Sequence, residues 1–318
     1  MSELHEPGAV AAVVPAYNAA RFLEATLEGI LDQSAPVAEC VVVDDGSTDG
    51  TGDLAEGFDS RVRVVRQPNR GVSAARNAGA RAASSPLLAF CDADDVWLPE
   101  KQERQLETWA RSPEATALFT GAQAVGADLE EGAVMPAPTF EAVTLKDMIV
   151  HRTGWIPPQI SSTLLVQRET LKRTGGWDES LAHTADWDQA LRLRKLGPFA
   201  GPTEPLVLYR RHEGSMSRRL ELLEAETRAL FRKVEEDPEL RDAVAGSVLE
   251  DARAWNWSVV AASLAREGHM LRAARWWADS FSRSPGAALK ALARRREGRK
   301  GRAPDGWSPG RGGGGGPA

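Results

Sequence analysis

Three carboxylates fall within four positions in Asp92-Ala93-Asp94-Asp95, directly after the apolar run Leu87-Leu88-Ala89-Phe90-Cys91. Acids this close repel one another, and burying them unpaired is costly or shifts their pKa values. A divalent cation relieves the repulsion. Hard oxygen ligands on a short D-x-D turn suit Mg2+ or Mn2+, which take one or two carboxylates together with water and substrate phosphates. The plainer alternative is a loop of solvated acids that caps the helix starting near Pro99. A second acidic group, Asp44-Asp45-Gly46-Ser47-Thr48-Asp49, follows the apolar Cys40-Val41-Val42-Val43. A carboxylate fixed there can accept an N–H from a nucleobase edge while backbone amides face ribose or phosphate. The same residues would also make an Asx turn and cap the next helix. Arg76, in the stretch Gly71 to Ala83, could neutralise phosphate or stack beside a base, or could lie solvated on a surface helix.

These side chains need elements to position them, and the pattern supplies a series. Val10 to Val14 reads as a β-rich run ending at Pro15-Ala16-Tyr17-Asn18, and Ala20 to Gln33 has helical spacing of Phe22, Leu23, Leu27, Ile30 and Leu31. Strands follow at Cys40 to Val43, Val62 to Val65 and Leu87 to Cys91, with helical stretches between them. This alternation implies βαβ units and an α/β fold with a mostly parallel central sheet flanked by helices. Ligands bind beyond the carboxyl ends of such strands, where these acids lie. A run this short and apolar at 87–91 suits a central strand covered on both faces. No G-x-G-x-x-G follows any strand, which disfavours a dinucleotide-binding fold.

Further on, a helix is expected from Pro99 to Ala110, loop from Gly121 to Pro138, a strand from Ser161 to Val166, a helix from Asp186 to Leu196 and a strand from Leu206 to Arg211. Beyond Arg218 the pattern is helical only, with breaks near Asp237-Pro238, Gly268 and Ser284-Pro285. Trp255, Trp257, Trp276 and Trp277 read as packing in one helical hairpin of tetratricopeptide kind. The expected organisation is 1–218 for the α/β domain, 219–297 for a small all-α region and 298–318 for a disordered Gly- and Arg-rich tail.

The 318 residues carry a net charge of −6, so nothing global points to nucleic acid. The two cysteines, Cys40 and Cys91, sit in apolar contexts and read as buried hydrophobes of a reducing compartment. No signal peptide is legible, and no apolar run approaches the roughly 20 residues that span a bilayer. A cytoplasmic protein is expected. The basic residues Lys290, Arg294, Arg295, Arg296, Arg299, Lys300, Arg302 and Arg311 could give peripheral contact with an anionic membrane face.

Taken together and in order, Pro15-Ala16-Tyr17-Asn18, Val43 to Asp49, Gly71 to Gly79 and Asp92-Ala93-Asp94-Asp95 resemble the signature of inverting family 2 glycosyltransferases of GT-A fold, over roughly residues 8 to 217. Gly175-Gly176-Trp177-Asp178-Glu179 resembles the acceptor-side turn of that family. Ala185-Asp186-Trp187-Asp188 is similar to its E-D-W-D segment, with Ala185 in place of the Glu. Tyr209-Arg210-Arg211-His212 with Ser215-Met216-Ser217 resembles its closing motif. The resemblance implies a Rossmann-like GT-A domain that binds a nucleoside-diphosphate sugar through Pro15, Tyr17, Asn18, Asp44, Asp45, Arg76, Asn77, Asp92, Ala93 and Asp94. It implies Mn2+ or Mg2+ at Asp92, Asp94, Asp95 and His212, acceptor contacts at Trp177, Asp178, Glu179 and Trp187, and Asp186 as general base.

Helical spacing separates the two acids of that last segment. Asp188 has Arg192 at i+4, whereas Asp186 has Ala190 and Leu193 on its face and so no cation from its own helix. His183 is the rival base. The expected reaction moves a sugar to a saccharide or lipid-linked acceptor with a single inversion, as in cell-surface polysaccharide or glycoconjugate synthesis. Two alternatives stand beside it. Asp92-Ala93-Asp94-Asp95-Val96 also spells the D-x-D-x-V of haloacid-dehalogenase phosphatases, and a nucleotide-sugar-binding module without catalysis would tolerate Ala185.

Overall fold

The computed structural model describes residues 9–130, 132–135, 137–150, 160–216, 219–244 and 246–298. The chain divides into two compact units, Met1–Gly246 and Ser247–Ala318. In the first, the elements run β1 (Val10–Ala16), α1 (Ala20–Leu31), β2 (Glu39–Asp44), α2 (Thr51–Phe58), β3 (Val62–Arg66), α3 (Val72–Ala82), β4 (Leu87–Phe90), β5 (Val96–Trp97), α4 (Lys101–Arg111), β6 (Ala117–Leu118), β7 (Gly121–Val125), β8 (Val134–Met135), α5 (Leu145–Val150), β9 (Leu165–Gln167), α6 (Arg168–Arg173), α7 (Ala185–Leu196), β10 (Phe199–Ala200), β11 (Pro205–Arg210), α8 (Leu220–Glu236) and α9 (Pro238–Ala243).

Seven strands form the main sheet in the order β10-β6-β9-β4-β1-β2-β3. Its pairs are parallel except those of β9, which runs antiparallel to both β4 and β6. Every residue of β1 and β4 is buried, as expected for strands covered on both faces. Their register sets the site. Ala16 lies opposite Asp44 and Val13 opposite Phe90, so the carboxyl ends of β1, β2 and β4 open on one edge. Helix α3 packs close over β1. A Cβ at Gly79 would stand 2.3 Å from Val13 Cγ1, so only glycine permits the approach. Arg76, three residues earlier and thus on the same face, is thereby held against the sheet.

In a second sheet, β5-β11-β7-β8, only β11 was legible in the sequence, as the strand expected over Leu206 to Arg211. The stretch 121–138, expected to be loop, supplies β7 and β8. Their pairing is with distant β11 and with each other, so local periodicity carries little of the signal. The strand expected over Ser161 to Val166 is also shorter. Ser161–Thr163 forms a 3-10 turn, and pairing begins at Leu165. No helix among the described residues is long and apolar enough to cross a membrane.

Helices α8 and α9 belong to the first unit, so the division falls after Gly246 rather than near residue 218. The second unit holds α10 (Ser247–Arg266), α11 (Met270–Arg283) and α12 (Pro285–Gly298). Gly268, at φ +83°, turns the first two into a hairpin. The buried Trp257 and Trp276 rings meet edge to face at 5.2 Å, and the buried Ser258 and Ser280 hydroxyls lie 2.7 Å apart. These two tryptophans are packing residues. The tail expected to be disordered lies outside the described residues from 299 on, as do the basic side chains from Arg294.

Candidate active site

One guanidinium ties the site together. Arg76, 1% exposed, donates from Nη1 to Asp186 Oδ1 at 2.7 Å and from Nη2 to Asp92 Oδ1 at 2.8 Å and Ser161 Oγ at 2.6 Å. Its Cζ sits 4.5 Å from the centre of the Trp177 ring, which in turn meets Phe90 edge-on. Ser161 completes the network, donating its N–H to Asp186 Oδ2 at 3.1 Å and its hydroxyl to Asp92 Oδ1 at 3.2 Å. Three distant segments thus meet on a side chain of α3. Burial pushes the Asp186 carboxyl up, Arg76 draws it down and Asp92 pushes it up again, which leaves it at about 6 against an ordinary 3.8. A carboxylate poised there can take a proton near neutrality.

Beside this network, Asp94 Oδ2 lies 2.9 Å from His212 Nε2. Burial and the charge of Asp92 push the Asp94 carboxyl up, while His212 draws it down, with the net shift upward. The Phe22 ring packs between His212, 4.5 Å away, and the Arg210 guanidinium at 4.8 Å. Arg210 Nε donates to the Asp94 carbonyl at 2.6 Å, and its Nη1 donates to the Ala127 carbonyl.

No group of three or more His, Cys, Asp and Glu gathers as a metal cage among the described residues. The donors that fit a cation are the partly exposed Asp94 oxygens and His212 Nε2. One carboxylate and one imidazole, completed by diphosphate and water, suit Mn2+ and are workable for Mg2+. Asp95 does not fit. It is 0% exposed, with Oδ2 accepting the Ser162 hydroxyl at 2.5 Å and Oδ1 accepting Arg210 N–H at 3.0 Å. Burial and the neighbouring Asp94 and Asp92 push its carboxyl well up. Asp92 is engaged by Arg76 and Ser161 instead.

The other expected positions divide clearly. Tyr17 is exposed at the tip of β1. Asn18, at φ +49°, stitches β1 to the β2 turn by accepting Thr48 N–H at 2.8 Å and donating its own N–H to Ser47 Oγ. Pro15 lies buried within β1, and Ala93 offers its carbonyl to the Thr26 hydroxyl. Asp44 accepts the Ser47 N–H at 2.9 Å, while Asp45 binds the Gln67 amide and the N–H groups of Arg70 and Gly71. Both are buried; Asp44 faces its own turn, with the Arg66 guanidinium 3.9 Å from its other oxygen, and Asp45 faces the loop that follows β3.

Asn77 holds the Gly175–Glu179 turn through both the N–H and the carbonyl of Trp177 and through Glu179. Gly176, at φ +77°, leaves no room there for a Cβ, which would stand 2.7 Å from Asn77 Oδ1. Trp177 and Trp187 are buried, the latter donating to the Met148 carbonyl at 3.0 Å, so neither presents a ring as a surface platform. Asp178 pairs with Lys233, and Glu179 with Arg70. Sequence reasoning missed Ser161 and Ser162, which no spacing marks. Arg210 lay inside a recognised motif and so had a signal.

The site thus lies where ligands bind in α/β sheets, and the fold is of GT-A type, like that of the solved neighbours below. The chain belongs to glycosyl transferase family 2, an enzyme family, whose model matches residues 11–174. A Bacillus subtilis (strain 168) glycosyltransferase assigned to teichuronic acid biosynthesis, TuaG, is 42% identical over 102 residues, 31% of this chain and 40% of that protein. The chain spans 20–40% of the length of the first curated relatives it matches. S. aureus TarS in complex with UDP-GlcNAc shares the fold with a TM-score of 0.60 at 16% identity, over 91% of this chain and 92% of that one. The mannosyltransferase PcManGT from Pyrobaculum calidifontis, in complex with GDP-Man and Mn2+, has a TM-score of 0.57 at 21% identity, over 93% and 81%.

Proposed function

We propose that this chain transfers a sugar, with inversion, from a nucleoside-diphosphate sugar to a hydroxyl of a saccharide or lipid-linked acceptor in polysaccharide or glycoconjugate synthesis. The observation that carries this reading is Arg76 binding Asp186 and Asp92 at once, which brings a carboxylate with a raised pKa to the strand tips. Asp186 removes the proton from the acceptor hydroxyl as its oxygen bonds to the anomeric carbon, and the bond from that carbon to the diphosphate oxygen breaks on the opposite face. One base suffices for one displacement, whereas a two-step route requires a second carboxylate as nucleophile. Asp94 and His212 would hold the divalent cation, which when bound supplies Lewis-acid neutralisation of the leaving diphosphate. Tyr17 offers an exposed ring on which a base can stack. The donors named with the two solved neighbours, and the Mn2+ of one, support a nucleotide sugar and a metal here.

Family membership leaves the phosphatase reading of Asp92 to Val96 without support. A thermal-shift screen of UDP and GDP, each with and without Mn2+, tests the rest, because a ligand of the native state raises the melting temperature. We expect a rise with one diphosphate that Mn2+ enlarges. Asp186→Asn should keep that rise and lose transfer about 10³-fold. No shift with any diphosphate, or full transfer by Asp186→Asn, would sink the reading.

A further inference from the structure

Helix α8 carries no motif residue, yet it grips the start of α7 at two points. Glu226, 6% exposed, accepts the Ala182 N–H at 3.1 Å, the Thr184 N–H at 2.8 Å and the Thr184 hydroxyl at 3.2 Å. Seven residues on, and so on the same face of α8, Lys233 donates to Asp188 Oδ1 at 2.8 Å and also to Asp178. Thr184 is the N-cap of α7, but its side chain makes no capping bond to the first turn. Its hydroxyl turns to Glu226 instead. Ala185, the first helical residue, is buried and brings no carboxylate, and Asp186 follows it. Unsatisfied N–H groups at a helix start favour a nearby anion. The first turn holds Asp186 and Asp188 of its own, and Glu226 adds an anion from another helix at the N–H groups just before it.

We infer that Glu226 is a positioning residue for Asp186, with Lys233 as the second anchor. The grip of α8 on residues 182–188 fixes where α7 begins, and so keeps the Asp186 carboxylate shielded from water. This role rests on the reading of Asp186 as the base. The charged and titratable groups around this turn are Arg76 of α3, Asp92 beyond β4, Asp178, His183, Asp188 and Arg192 in and before α7, and Glu226 and Lys233 of α8.

The test is a carbon-13 NMR titration of the Asp186 carboxyl in the full chain, assigned by its loss in Asp186→Asn. Removing Glu226 deletes a neighbouring negative charge and lets water reach α7, and both lower the titration midpoint. Glu226→Ala should move it down by about half a pH unit or more, and Glu226→Gln, which keeps one acceptor, by less. Val234→Ala, which trims a buried contact elsewhere on α8, should lower the melting temperature and leave the Asp186 midpoint in place. If the Glu226 variants do not fold, Thr184→Val removes one bond of the grip and should give a smaller downward shift. Midpoints equal to wild type in the Glu226 variants, or in Thr184→Val where those do not fold, overturn the inference. Full transfer by Asp186→Asn defeats the base assignment instead, whatever the titration shows.

Discussion

The tips of β2 and β4 each carry adjacent acids after a buried strand, and the structure uses them in opposite ways. At β2, Asp45 is satisfied by two backbone N–H groups and the Gln67 amide, and Asp44 by the N–H of its own turn, with the exposed Arg66 guanidinium 3.9 Å from its other oxygen. At β4, Asp92 is held by a guanidinium and a hydroxyl, and Asp94 by an imidazole. Backbone donors cannot leave without unravelling a loop. Side-chain partners can exchange their acid for a phosphate or share it with a metal. The nature of the partner, more than the spacing of the acids, separates an architectural carboxylate from a working one.

Four measurements would break or sharpen that contrast. The largest effect belongs to Arg76→Met, which strips the shared cation from two acids. We expect a loss of about 3–5 kcal/mol in urea unfolding, since it leaves buried charge uncompensated. Asp45→Ala should cost about 1–3 kcal/mol by orphaning the Arg70 and Gly71 N–H groups, without abolishing the Mn2+-dependent thermal shift. A stability unchanged by Asp45→Ala would erase the distinction between the two tips.

The third measurement is the pH profile. On the proposed mechanism Asp186 must be ionised to act, so transfer should fall about tenfold per unit below pH 6. Its stability contribution runs the other way. A folded-state value raised from 3.8 to about 6 means that the native chain holds this proton more tightly. That contribution is full below about 4 and is lost as pH rises through 6. The smallest change in stability is expected for Asp94→Asn, within about 0.5 kcal/mol, because its ionised form is already disfavoured. It should nonetheless remove the Mn2+-dependent part of the thermal shift.

The strand tips were legible because β1, β2 and β4 are dense apolar runs that end in conspicuous polar groups. Strand alternation, however, stops where the strand stops. The tripeptide spelling at 92–95 thus grouped Asp95 with the ligands, while Ser162 and the Arg210 backbone turn it into the core. Trp177 and Trp187 carried the right motif but not its orientation, since burial depends on Arg76 and Phe231, which are remote in sequence. Ser161 and Glu226 match no local pattern at all. Their roles exist only once segments 85 and 42 residues away have been brought to them.

Because α8 and α9 fold with the first compact unit, the point at which the polypeptide is severed matters. Shearing it after residue 218 would pull Leu230, Phe231 and Val234 out of their sockets and lay bare the apolar flank around Trp187. That fragment should clump on concentration, as light scattering would show, whereas one ending at Gly246 keeps its flank covered.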